Sequence, residues 1–493
     1  MSSNLIDIVL FVGAGMRRGT SDKPISFTIA IVGGGFSGTT LASELLLSRN
    51  PAIKVVLIER EGCPGRGVAY STHFPGHLLN VTAQNMGALA NDPLHFLRWA
   101  REHYNHETQP NDYLPRRVYG KYVESILCEA IERNPNRFEW KRDEALSITP
   151  VHGKANILLR SRCRILADVV VLALGNFPPS DLKLPGRNEL SRRYVPNPWS
   201  VNALDEIAPK DSVVLVGSGL TSVDVAISLR ARGFLGKIHM LSRHGLLPQT
   251  HKASEPWAAQ WDHAPTRRVR SLVRLIRTEV AKAESQNSDW RAVIDSIRPF
   301  TQDIWRSLKL QEQRRFLRHL RAHWDVHRHR VAPEIGKLLE NEMAEGRLEI
   351  HAGRITEYRE EGDTVEVSYR KRGRRKSRKL GVDYVINCTG PDGDCRRVDS
   401  PLLSNLLNQQ LVRPDPLLLG LDTAEDGALL DVRGVPSGFL YTVGPLRKGH
   451  LWETIAVPEI RVQVSELALH LLSRFEQQCV ERLVSEQAAA QSD

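Results

Sequence analysis

The chain has 493 residues, of which 41% are hydrophobic and 25% charged, a balance expected of a soluble globular protein with room for two or three domains. The net charge of +10 favours anionic ligands, but no aromatic residues interleave with the basic run at 371–379, and an arginine-rich surface is expected rather than a nucleic-acid grip. Six cysteines without a C-x-x-C pair argue against a dithiol flavin reductase and a cysteine zinc site, and they fit a reducing cytoplasm.

Residues 1–25 read as a poorly ordered extension. The apolar run Leu5–Val12 is interrupted by Asp7 and is too short to span a bilayer, so no membrane partner is expected. Phe27–Val32 then has the length and apolarity of a buried strand. It ends in Gly33-Gly34-Gly35-Phe36-Ser37-Gly38, a G-x-G-x-x-G turn opening an apolar helix. In such a turn Gly33 permits the tight bend, Gly35 lets a pyrophosphate approach the backbone, and Gly38 lets helix and strand pack closely. The helix N-terminus then faces the phosphates. A second strand, Lys54–Ile58, leads to Glu59, whose carboxylate would accept from a ribose 2′-OH and repel a 2′-phosphate. This half is therefore expected to hold FAD or NAD rather than NADP.

The glycine-rich loop after Glu59 presents Arg66 toward a phosphate or flavin edge, or else leaves it solvated in an ordinary turn. Leu78–Met86 is a candidate flavin cover. Helices are expected after Asn91-Asp92-Pro93 and through Tyr122, Ile126 and Leu127, with short strands at 138–140, 147–149 and 155–159. Ala167–Leu174, ending at Gly175-Asn176, is a buried parallel strand.

The plan then repeats. Asp211–Val216 leads into Gly217-Ser218-Gly219-Leu220-Thr221-Ser222, with Ser222 in place of the third glycine. Lys237–Leu241 is the second strand of this half and ends in Ser242-Arg243 where the first half has Glu59. A hydroxyl and a guanidinium suit an adenosine 2′-phosphate, so the pair reads toward NADPH, with NADH the alternative. Residues 254–345 form an arginine-rich helical insertion. Within it Phe316, Leu317, Leu320 and Trp324 mark one face of a single amphipathic helix. His319, His323 and His327 lie four apart but lack an acidic or cysteine ligand, so no metal is expected. His327-Arg328-His329-Arg330 either binds an anionic substrate or sits in solvent. Thr364–Tyr369 and Val382–Asn387 flank a basic tip at 371–379 and mirror the strands before Gly175. Phe439–Val443 is a last strand ending at Gly444, and Pro458 opens a long final helix aimed at a flavin or simply packed.

The expected fold is α/β, with two Rossmann-like dinucleotide-binding domains. Residues 26–200, completed by 391–493, are expected to hold FAD or NAD, the choice of FAD being what the resemblance given next implies, with Gly33, Gly35, Gly38, Glu59, Arg66 and Gly444 as the candidate residues. Residues 201–390 hold NADH or NADPH through Gly217, Gly219, Ser222 and Arg243.

Val32–Gly38, Gly65–Tyr70, Leu79-Asn80-Val81, Pro115-Arg116, Tyr119-Gly120, Trp324–Arg330 and Trp452–Arg461 together resemble the bacterial FAD/NAD(P)-binding flavoproteins that include FAD-dependent urate hydroxylases and aspartate N-monooxygenases. The resemblance covers nearly the whole chain from about residue 26. It implies a flavin-dependent monooxygenase in which NAD(P)H reduces FAD and O2 supplies the inserted oxygen. The chain is compact beside the amino-acid-hydroxylating members, which favours conversion of urate to 5-hydroxyisourate in purine catabolism, with Arg328 and Arg330 clamping the anion. No general base is identified, and a bound urate anion needs none. The alternatives are N-hydroxylation of an amino acid and a redox-sensing flavoprotein without turnover.

Overall fold

The computed structural model describes residues 27–490, except 49, 189–190, 260 and 262–267. The expected N-terminal extension lies outside the described residues. The chain divides into two compact units. One takes residues up to His73, Thr82–Asn176 and everything from Gly393 onward; the other takes Phe74–Val81 and Phe177–Asp392.

The strands of the first unit before the crossing are β1 (Phe27–Val32), β2 (Ile53–Ile58), β3 (Phe138–Lys141), β4 (Ala145–Val151), β5 (Lys154–Leu159), β6 (Arg164–Ala167) and β7 (Val169–Leu172). The second unit contributes β8 (Tyr194–Val195), β9 (Val213–Val216), β10 (Ile238–Ser242), β11 (Leu348–Ala352), β12 (Arg354–Glu361), β13 (Thr364–Arg370), β14 (Ser377–Val382) and β15 (Tyr384–Asn387). On its return to the first unit the chain adds β16 (Ala428–Leu430) and β17 (Pro436–Thr442).

The first unit is built on a sheet of order β16-β17-β7-β1-β2-β3. It is parallel from β17 to β3, and only the edge pair β16–β17 is antiparallel. Central strands of such a sheet are buried on both faces, which is why β1, β2 and β7 are nearly unbroken runs of Ile, Val and Leu. Ile29, Ile31, Val55, Leu57 and Val170 are fully buried, each side chain contributing about 1.5–3 kcal/mol relative to exposure. The helix Phe36–Leu47 returns from β1 and packs with Arg116–Arg133 and with the final helix, Val457–Ala490. An antiparallel sheet of β4, β5 and β6 precedes β7.

The second unit repeats the plan with the parallel order β11-β10-β9-β15-β8 and an antiparallel sheet of β12, β13 and β14 ahead of β15. The two sheets enclose a core of Tyr194, Leu241, Tyr358, Val365, Val367 and Tyr369, among others. Because β8 pairs with β15, residues 177–200 cluster here rather than with the first unit, where the sequence had suggested the boundary at 200. The insertion between β10 and β11 contains six α-helices among the described residues: Val269–Ser285, Trp290–Ile297, Thr301–Ser307, Leu310–His319, Arg321–Arg328 and Pro333–Ala344. The single helix expected through Trp324 is broken at Leu320, whose φ of −119° departs from helical geometry. The basic tip is shorter than expected, since Ser377–Lys379 belong to β14.

Candidate functional site

In the first unit the β1 turn carries three glycines with different burdens. Gly33 has φ +107°, and a Cβ there would lie 2.4 Å from the Ala173 carbonyl oxygen. A Cβ on Gly38 would lie 1.9 Å from the Gly33 carbonyl oxygen. The protein itself therefore demands both. Gly35 differs, because a Cβ there would meet only the Gly67 Cα, at 3.6 Å. Gly35 also starts the helix Phe36–Leu47 without a side-chain cap, leaving first-turn N–H groups for another acceptor.

Loops close around this turn. Gly65 N–H donates to the Gly34 carbonyl at 2.8 Å. The Glu59 carboxylate reaches back to the turn, its Oε2 accepting from Gly34 N–H at 2.6 Å and its Oε1 from Glu61 N–H at 2.7 Å. Gly444 adopts φ +82°, and a Cβ on it would lie 2.7 Å from Ser37 Oγ. Its carbonyl accepts from Thr454 Oγ1 at 2.9 Å and its N–H donates to Gln463 Oε1 at 3.2 Å. Arg66 is not the free cation of the alternatives above: its guanidinium pairs with Glu124 Oε2 at 2.9 Å. Phe36 at the start of the helix rests on Tyr70 and Tyr119. The Tyr119 hydroxyl is buried with no partner among the described residues.

In the second unit Gly217 has φ +128°, and a Cβ would lie 2.3 Å from the Cys388 carbonyl oxygen. Around Gly219 a Cβ would meet nothing within 4 Å, and this residue too begins a helix, Leu220–Ala231, without a side-chain cap. Ser222 is fully buried where the third glycine would stand. At the end of β10, Ser242 Oγ lies 2.7 Å from Ser218 Oγ and accepts from Gly245 N–H at 2.9 Å, so this hydroxyl braces the turn. Arg243 is exposed and forms no ion pair among the described residues. Cations gather beside it. His244 is held below the usual imidazole range by burial and by the nearby His323, Arg243 and Arg372. Arg372 comes from the tip between β13 and β14.

The insertion brings Arg328 and Arg330 together, but not as an exposed clamp. Arg330 is 2% exposed, and its guanidinium pairs with Asp295 and lies over the Trp290 ring. Burial pulls its pKa down, and Asp295 opposes that pull. Arg328 is also buried. Arg291 pairs with Asp289 at 3.1 Å. His251 faces these guanidiniums and lies 3.0 Å from the Asn80 carbonyl oxygen. Burial, then Arg330, Arg328 and Arg291, hold it at about 4. Of the expected histidine face, His327 is tied to the His323 carbonyl at 2.7 Å.

Sequence reading missed Gln463, and it gave no individual role to Gly67, Trp452 or Thr454 within the stretches that carry the resemblance. Trp452 takes φ +62°, rare for a bulky residue, immediately before the buried pair Glu453 and Thr454. No local pattern marks it. No helix among the described residues is long and apolar enough to cross a membrane.

A family profile described as FAD-NAD(P)-binding matches residues 30–177, which run from β1 through β7. No curated protein sequence matches the chain. Among solved structures, L-lysine 6-monooxygenase from Pseudomonas syringae aligns with a TM-score of 0.63 at 15% identity, covering 91% of this chain and 99% of that one. The ornithine N-hydroxylase of Kutzneria sp. 744, whose structure is described with reduced FAD, NADP+ and L-ornithine, aligns at 0.61 and 14%, covering 91% and 99%. The bacillithiol disulfide reductase of Staphylococcus aureus aligns at 0.51 and 12%, covering 92% and 99%. The chain thus has the two-domain fold of FAD- and NADPH-binding flavoprotein monooxygenases over nearly its whole length.

Proposed function

We propose that the chain is a FAD-dependent, NADPH-consuming monooxygenase that hydroxylates the amine of an amino-acid-like substrate. One observation carries the reading. Two strand–turn–helix cradles, one marked by Glu59 and the other by Arg243, stand on a fold that aligns end to end with ornithine and lysine hydroxylases. That likeness supports the amine reading over urate. The residues fit the cofactors, because Gly35 and Gly219 leave space that no protein atom needs. When bound, the cofactors would supply the redox chemistry: electrons from the nicotinamide and oxygen activation at the flavin.

The chain's own residues supply position and charge. The uncapped N-termini after Gly35 and Gly219 offer N–H donors to pyrophosphate oxygens. Glu59 uses one hydrogen bond on each oxygen and keeps lone pairs for ribose hydroxyls. Arg243 and Arg372, both near His244, offer positive charge to a 2′-phosphate. Arg330 and Arg291 pair with Asp295 and Asp289, and Arg328 lies near Arg330, so Arg328 and Arg330 stand together as a buried candidate group for a substrate anion.

The test is NADPH oxidation and oxygen uptake by the purified flavoprotein with ornithine, lysine, aspartate and urate, with the product assayed for hydroxylamine. An amino acid should raise the rate and yield a hydroxylated amine. Stimulation by urate alone would restore the purine reading. NADPH oxidation that no amine or purine accelerates would leave a reductase or a redox sensor.

A further inference from the structure

A cluster in the second unit lies outside everything described above. Parallel pairing of β10 with β11 sets His239 across from Glu349 and Leu241 across from His351. Glu349 and His351, two apart on the edge strand, share one face. The His239 and His351 rings meet on that face with centroids 5.1 Å apart. His239 Nδ1 lies 3.0 Å from His351 Nε2, and Glu349 Oε2 lies 3.6 Å from each.

These separations have a specific meaning. The point equidistant from the three atoms lies about 2.0 Å from each, and zinc sits about 2.0–2.2 Å from imidazole nitrogen and carboxylate oxygen. One ion fits with almost no movement of the side chains. The remaining partners agree. Tyr369 OH lies 3.0 Å from His351 Nδ1; with the proton on Nδ1, the Nε2 lone pair is turned toward the centre, the outer hydrogen bond typical of ligating histidines. The second oxygen of Glu349 pairs with Lys237, while Arg378 is a further cation acting on His351. His239 is 7% exposed, whereas Glu349 is about half exposed and opens the cluster to solvent. The ligating form of an imidazole is the neutral one, so binding at this site should weaken as the pH falls.

We propose that His239, Glu349 and His351 bind one divalent transition-metal ion of the zinc class, which clasps the edge strand β11 to β10 and keeps one position open to water. Two imidazoles and a carboxylate suit zinc and also admit copper and nickel. Nothing in this inference depends on the flavin reading, since all three ligands and Tyr369 belong to the second unit.

The test uses the full, untagged chain, stripped with a chelator and titrated with zinc against a competing zinc-binding dye. One tight equivalent per chain is expected, together with a rise of several degrees in melting temperature. His351→Ala and Glu349→Gln should each weaken that equivalent at least tenfold and abolish the melting shift. His323→Ala should leave both unchanged, which separates the site from the other histidines. Tyr369→Phe should weaken binding about tenfold while the chain stays folded. The proposal is overturned if the parent chain binds zinc no more tightly than His351→Ala, or if Glu349→Gln binds as the parent does. Should His351→Ala fail to fold, Glu349→Gln on the exposed side decides alone.

Discussion

The two glycine turns share a plan and differ in how the protein treats them. Around the first, Glu59 binds Gly34, Gly65 closes onto Gly34, and Gly444 presses on Ser37. Around the second, Ser218 is tied to Ser242 and the Leu246 carbonyl, but no described atom would crowd a Cβ on Gly219, and Arg243 is exposed. A wrapped cradle suits a ligand retained through many turnovers, and an open one suits a ligand that comes and goes. The same local motif is thus tuned by what later segments lay over it.

The strongest way to break this comparison is to block each turn separately. Gly33→Ala should cost on the order of 3 kcal/mol through its positive φ and the Ala173 carbonyl, and it should yield protein without flavin colour. Gly217→Ala faces the same obstacle at the Cys388 carbonyl. It should leave the flavin bound and remove NADPH oxidation, measured by absorbance at the flavin and nicotinamide bands. If both substitutions expel the flavin, the division of labour is wrong.

Next in size is Arg243→Ala. Loss of one charge-assisted contact, about 1.5–3 kcal/mol, should raise the KM for NADPH roughly ten- to a hundredfold and leave that for NADH nearly unchanged. Equal effects on the two would remove Arg243 from the phosphate.

Acid should then act on the second unit through His251. Its folded pKa of about 4 lies below the ordinary 6.5, so the unfolded chain binds the proton more readily. Its stabilising contribution is complete above about pH 6.5 and is lost as the pH falls toward 4, by on the order of 3 kcal/mol. Melting curves across that range should show the loss, which His239 at about 4 shares, so His251→Gln should reduce it by roughly half rather than remove it.

The smallest effect sharpens the picture most. Gly35→Ala and Gly219→Ala meet no close protein atom and sit at ordinary negative φ. They should destabilise by no more than about 1 kcal/mol, the difference between Gly and Ala at an N-cap. Flavin affinity should nonetheless fall in the first and NADPH affinity in the second. A large drop in melting temperature for either would show that the protein, not a ligand, requires the glycine.

Local pattern carried much of this fold. β1 occupies Phe27–Val32, the stretch expected from the apolar run, and each turn follows its strand directly. What stayed hidden depends on partners distant in sequence. Arg66 looked available until Glu124, on the helix Arg116–Arg133, was seen to hold it. Arg330 looked like a clamp until Asp295 neutralised it. β8 has only two residues and exists because β15 offers it an edge. His239 and His351 carry no motif, since only strand register brings them together.

The order of the segments has a consequence for synthesis. β17 pairs with β7, and Gly444 meets the helix start at Ser37, so the sheet begun by the earliest described residues is finished only after the second unit has left the ribosome. All strands of the second unit emerge before β17 does. During translation that inner unit can close on itself while β1, β2 and β7 wait with an apolar edge uncovered, a hazard for aggregation that a slow or truncated message would prolong.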